Sequence, residues 1–151
     1  MLGKININNQ NISLKTKSYF IADIAANHDG SLSKAIDLIN MAAENGADAA
    51  KFQNFIAETI VSDYGFKRLN SISSHQSSWN KSVFEIYKDA SIPLEWTKEL
   101  KKECDKAKID YLTTPYDLSL INTLDEYVCA WKLGSGDITW HDNIANLAKK
   151  N

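Results

Sequence analysis

The stretch Tyr19-Phe20-Ile21-Ala22-Asp23-Ile24-Ala25-Ala26-Asn27-His28-Asp29-Gly30 constrains the fold more than any other part of this sequence. An apolar run of strand length, broken by one carboxylate, passes into a polar turn and then a helical pattern, which predicts a buried β-strand, its loop and the next helix. Along a strand from Tyr19 to Ala25, side chains alternate, so Ile21, Asp23 and Ala25 share one face and Phe20, Ala22 and Ile24 the other. The second face suits covering helices. Asp23 points the opposite way, into whatever the strands enclose, where a carboxylate is costly unless it is paired or functional.

The same grammar recurs downstream. Residues 1–18 read as a β-hairpin domain, with Ile5 and Ile7 alternating with polar residues, a turn at Asn8-Asn9-Gln10-Asn11, and Ile12 and Leu14 alternating again. Residues 19–151 form the main unit. Ser31 can cap a helix whose apolar positions Leu32, Ala35, Ile36, Ile39, Ala42 and Ala43 follow the three-and-four spacing, with Asn45-Gly46 as its stop. A second strand, Ala47 to Phe52, sets Lys51 and Gln53 on one side and Phe52 on the other. The polar passage from Asn54 to Ser91, including Ser71 to Ser78, exceeds a plain connection and reads as a functional or mobile loop. Pro93 is suited to begin a helix with Trp96, Leu100, Cys104 and Ala107 as its apolar stripe. Ile109 to Thr114 is a third strand, after which Asp117 caps a helix with Leu120, Ile121, Leu124 and Tyr127 inward. Val128 to Leu133 is a fourth strand, followed by the Gly134-Ser135-Gly136-Asp137 turn and a helix from near Asp142.

Four strand-helix units with short returns predict an α/β fold with a parallel sheet and right-handed crossovers. Closed barrels and open doubly wound sheets both satisfy the pattern. The first strand carries no glycine fingerprint and polar residues gather at the carboxyl ends of all four strands, which favours a (β/α)8 TIM-barrel type with about its first four units present. A length of 151 residues with 44% apolar and 24% charged residues is ordinary globular composition. The net charge of -2 gives no broad basic field, which argues against nucleic acid as a partner. No apolar run approaches the roughly 20 residues of a membrane span, and the first residues lack a secretory layout, so cytoplasm is the expected location. Cys104 and Cys129 fit no metal or redox spacing and read as reduced packing residues.

On a barrel, parity places Asp23, Lys51, Thr114 and Lys132 on inward faces at the carboxyl ends of successive strands, where barrel enzymes keep their sites. Two lysines there could hold a phosphate or carboxylate, with Thr114, Ser135 and the Gly134-Ser135-Gly136 backbone completing a cradle. Two blander readings stand beside this: Asp23 pairs with a lysine to neutralise the interior, and the glycines only relieve a tight turn. His28 fits either a ligand contact or a hydrogen bond anchoring its loop. His75 and His141 have no ligand-spaced partners.

The successive motifs Ile21 to Gly30, Gly46 to Gln53, Thr113-Thr114-Pro115-Tyr116 and Lys132 to Asp137 resemble, in order and spacing, those of the sialic acid synthase family. That family condenses phosphoenolpyruvate with N-acetylmannosamine or a related N-acylated amino sugar to give a nonulosonic acid and phosphate. The resemblance implies that Lys51, Thr114, Lys132 and Ser135 bind phosphoenolpyruvate and that Gln53 touches the sugar. It implies catalytic roles for Asp23, near the reacting aldehyde, and for Asp137, which would handle the water that completes the reaction. Both positions are often glutamate in the family, and an acid one methylene shorter displaces a reacting proton by about an ångström. A divalent metal, manganese or magnesium, is implied, with histidine ligands that lie outside this chain, so no metal ligand is assigned among these residues. A homodimer is implied as well, in which a small antifreeze-like domain covers the partner's site. The 151-residue chain alone is then expected to be inactive. Two other classes fit the residues: a non-catalytic half barrel that assembles with another chain, and a Schiff-base aldolase fragment using Lys51 or Lys132.

Overall fold

The computed structural model describes residues 5–68 and 80–150. An antiparallel hairpin comes first, β1 (Ile5–Ile7) against β2 (Gln10–Ile12), turning through Asn8 at φ 50°, a left-handed conformation that asparagine tolerates. Next come β3 (Ile21–Ala25), α1 (Leu32–Glu44) and β4 (Ala49–Asn54). Four helices follow, α2 (Ala57–Ile60), α3 (Asp63–Arg68), α4 (Val83–Ala90) and α5 (Trp96–Ala107), and then β5 (Asp110–Pro115). The chain continues through α6 (Leu118–Leu124), two short 3-10 turns at Asp125–Tyr127 and Ser135–Asp137, and α7 (His141–Leu147).

β3, β4 and β5 form a parallel sheet in that order, with Asp23 beside Lys51, Lys51 beside Leu112, and Gln53 beside Thr114. The pleat sorts residues by chemistry. One face carries Ile24, Ala50, Phe52 and Tyr111 into a core with Ala35 and Ile39 of α1 and Leu100 and Cys104 of α5. Phe52 and Tyr111 stack with ring centroids 5.7 Å apart. The opposite face presents Asp23, Lys51, Gln53 and Thr114. Local signals hold the helices in place: the Ser31 side chain accepts from Lys34 N–H to start α1, and Gly46 at φ +83° turns the chain out of it. Below the sheet, the hairpin is pinned by Asn8 Nδ2 donating to Asp110 Oδ1 at 2.9 Å, and the Tyr19 hydroxyl donates to Asp110 Oδ2 at 2.5 Å. No helix among the described residues is long and apolar enough to cross a membrane.

Four sequence expectations need correction. Val128 to Leu133 is no strand: it contributes one parallel bridge, Trp131 to Thr113, and Lys132 N–H donates to Thr113 O at 3.2 Å. The passage 54–91 is not a plain loop, because α2, α3 and α4 lie in it; the Ser71–Ser78 run and His75 lie outside the described residues. Pro93 does not start α5, whose first residue is Trp96; instead the Pro93 carbonyl accepts from Trp96 N–H at 3.0 Å. Cys129 is exposed rather than packed, whereas Cys104 is buried. Burial pushes the Cys104 thiol up to about 12, so it stays protonated at neutral pH.

His28 serves the fold. It is fully buried, its Nδ1 accepts from Gly30 N–H at 3.1 Å, and its ring meets Trp96 edge-on with centroids 5.7 Å apart. Burial lowers its pKa, so the native state holds it neutral while an unfolded chain would protonate it near the usual value of roughly 6.5. Its contribution is therefore complete above that value and is lost as pH falls below it towards the native pKa. Urea unfolding at pH 7.5 and 5.5 should show wild type losing about 1 kcal/mol more than His28→Gln over that interval; equal losses would remove His28 from this role.

Candidate active site

The parallel register brings the polar face to one end of the sheet. Lys51, centred in β4 with a neighbour strand on each side, is 2% exposed, and its Nζ lies 2.7 Å from Asp23 Oδ1. Their side chains differ in environment, 3% exposed for Lys51 and 62% for Asp23. A buried ammonium is thus tied to a carboxylate that looks out from the open face. At the end of β3, Ala25 takes φ 53° where the register to β4 shifts, a bulge that turns the chain away just beyond Asp23.

One residue pair further along, Gln53 and Thr114 lie side by side. Thr114 is fully buried with an unpartnered Oγ1, while its neighbour Thr113 points to the helix side and donates to Asn54 Oδ1 at 2.6 Å. Gln53 Nε2 donates to the Tyr116 hydroxyl at 3.5 Å. Gly134, Ser135 and Asp137 close over this end. A Cβ on Gly134 would collide with Asp137 Oδ2 and stand 2.9 Å from the Tyr116 ring, so the turn needs glycine for space rather than for its backbone angle, φ -62°. Asp137 Oδ2 is buried without a partner. Tyr116 has its pKa raised, first by burial and then by the charges of Asp137 and Asp23, which places its hydroxyl in the field of both acids.

The structure therefore gathers Asp23, Lys51, Gln53, Tyr116 and Asp137 around one strand end, with Thr114 beside Gln53. Lys132 joins through its backbone bond to Thr113, with a half-buried side chain, and Ser135 is exposed at the start of its 3-10 turn. Asp23 bears out the pairing reading, and its exposure leaves it reachable by a ligand. Tyr116 is the residue that periodicity does not select, because it follows the strand rather than lying in it. Among the described residues, no group of three or more His, Cys, Asp or Glu side chains is placed to hold a metal ion. His141 is exposed at the first position of α7.

A parallel α/β layer with a paired lysine and unpartnered polar atoms at its carboxyl edge is the arrangement in which α/β domains of the barrel or doubly wound kind keep their ligand sites. Residues 38–151 match the NeuB family, and the chain belongs to that family. It is 32% identical over 136 residues to N,N'-diacetyllegionaminic acid synthase of Campylobacter jejuni, covering 89% of this chain and 40% of that protein. To human N-acetylneuraminate-9-phosphate synthase it is 31% identical over 133 residues, covering 87% of this chain and 36% of that protein. The fold matches the crystal structure of a sialic acid synthetase from Leptospira borgpetersenii, solved with citrate, at a TM-score of 0.79 and 27% identity, covering 98% of this chain and 47% of that one. The chain thus spans about two fifths of the length of the curated relatives it matches.

The Asp23–Lys51 contact has a measurable signature. Asp23→Asn should cost about 1 kcal/mol, because it strands a buried ammonium while solvent still screens the exposed partner side. The Asp23→Asn, Lys51→Met double variant should recover part of that loss in urea denaturation; strictly additive losses would show that the pair is not coupled.

Proposed function

We propose that this chain forms the phosphoenolpyruvate-binding part of a nonulosonic acid synthase, a portion of a (β/α)8 barrel that condenses phosphoenolpyruvate with an N-acylated amino sugar. The observation that carries the reading is the buried Lys51 ammonium at 2.7 Å from Asp23, in the middle of the central parallel strand and on the same face as Gln53 nearer its carboxyl end. A lysine held there supplies positive charge in a poorly hydrated setting, where it acts on an anion more strongly than in water.

On this reading Lys51 and Lys132 hold the phosphate and carboxylate of phosphoenolpyruvate, with Thr114 and Ser135 hydroxyls donating beside them. The unpartnered, buried Thr114 Oγ1 is an apt donor for a bound anion. Gln53 and Asp23 face the acceptor sugar. The enol carbon of phosphoenolpyruvate attacks the sugar aldehyde, forming the carbon–carbon bond as the carbonyl π bond opens and its oxygen takes up a proton from water. Water then adds to the resulting cationic carbon, and the carbon–oxygen bond to phosphate breaks, releasing inorganic phosphate. Asp137, with an acceptor oxygen free at this end, takes the proton that the incoming water loses. On this reading a divalent metal, manganese or magnesium, would polarise the sugar aldehyde, held by residues other than those described.

Isothermal titration of the purified chain with phosphoenolpyruvate tests the reading. Binding is expected, weakened at least tenfold by Lys132→Met and by Lys51→Met made together with Asp23→Asn, a loss of about 1.4 kcal/mol or more each. Absent binding, or variants that bind as tightly as wild type, would refute it.

A further inference from the structure

The strand that carries Asp23 breaks its register just beyond it. Asp23 faces Lys51 on β4, and an unbroken ladder would set Ala25, the next side chain on that face, opposite Gln53. Instead Ala25 pairs with Phe52, and its φ of 53° is a left-handed conformation that suits glycine and strains alanine. Strain of this kind persists only where the surroundings hold it. Here Asn27 does so: its backbone N–H and its side-chain Nδ2 both donate to Ile24 O, at 3.0 and 2.9 Å. That carbonyl belongs to the peptide entering Ala25, so both bonds act at the bulge. Ile24 is anchored in the core on the helix side, and the fully buried His28 fixes the far end of the turn.

We infer that Asn27 is a positioning residue: by clamping Ile24 O it holds the bulge that withholds the Ala25 side chain from Gln53, keeping that space clear for the acceptor sugar. Asp23 is left as the last inward group of β3 in regular register. This rests on the proposed reading of the strand end as the reaction site, in which Asp23 and Gln53 face the sugar. Bulges recur beside active sites, where they re-aim a side chain or end the pairing of a strand. This one borders Asp23 and Gln53, whereas Thr114 lies on β5 and Lys132 and Ser135 lie beyond it. The Asp23–Lys51 pair precedes the shift in register. Loss of the clamp should therefore tell on the sugar and spare phosphoenolpyruvate.

NMR titration of the labelled chain with phosphoenolpyruvate alone, and then with N-acetylmannosamine in its presence, tests the inference. Asn27→Ala should weaken sugar binding by about threefold or more, the weight of one hydrogen bond, with phosphoenolpyruvate affinity retained. Ala25→Gly, which takes the left-handed conformation freely, should keep the wild-type sugar affinity and lower the unfolding equilibrium constant in urea. Ala22→Gly, in the regular part of β3, should raise that constant. A smaller sugar effect of Asn27→Ala, an equal loss for both ligands, or Ala25→Gly that loses sugar affinity or destabilises as Ala22→Gly does, overturns the inference. Should circular dichroism show Asn27→Ala unfolded, Asn27→Asp, which keeps the shape and loses the side-chain donor, is held to the same outcomes. A wild-type chain that binds phosphoenolpyruvate but no sugar overturns this inference alone; one that binds neither overturns the reaction-site reading with it.

Discussion

A lysine buried in the middle of a parallel sheet needs a counter-charge, and Asp23 on the adjacent strand supplies it at 2.7 Å. Much of the site depends on that need. The register that sets Asp23 beside Lys51 also sets Gln53 beside Thr114, so a single alignment of β3, β4 and β5 fixes four polar groups together. Slipping β4 by one residue would turn Lys51 into the helix-side core and Phe52 out of it, which makes the register strongly specified.

The two faces of the sheet divide the work. Toward α1 and α5, Phe52, Tyr111, Ile39 and Leu100 supply buried apolar area, the dominant favourable term in folding. Toward the other side, the same strands carry groups whose burial is costly unless they find partners. Some found them within the fold, as Lys51 did with Asp23. Thr114 Oγ1 and Asp137 Oδ2 did not, and these orphaned atoms lie at the end of the sheet where the proposed ligand would sit.

Much of this was legible in the sequence because it rests on period-two alternation. Lys51 and Gln53 flanking Phe52, and the apolar run containing Asp23, are enough to put these three polar side chains on the face opposite the core. Helix caps at Ser31 and Asp117 were equally readable, since each is a short polar side chain directly ahead of an apolar pattern. What misled was composition without neighbours. Val128 to Leu133 has strand-forming residues, yet with only the β5 edge to pair with it contributes a single bridge. In the 54–91 passage, α4 did carry a signal, the Ser82–Glu85 capping box, but its polar surroundings obscured the periodicity. Tyr116 was illegible for another reason: its place at this strand end comes from the spatial meeting with Gln53 and Gly134, which no local pattern encodes.

The most direct test of the site is a backbone NMR map of the isotopically labelled chain titrated with phosphoenolpyruvate. The account predicts shifts concentrated at Lys51 to Gln53, Thr114, Lys132 and Gly134 to Asp137, with the hairpin Ile5–Ile12 silent. Shifts centred instead on the cavity of about 240 Å³ at the opposite end of the sheet, lined by Asn8, Asp48 and Asp110, would contradict it.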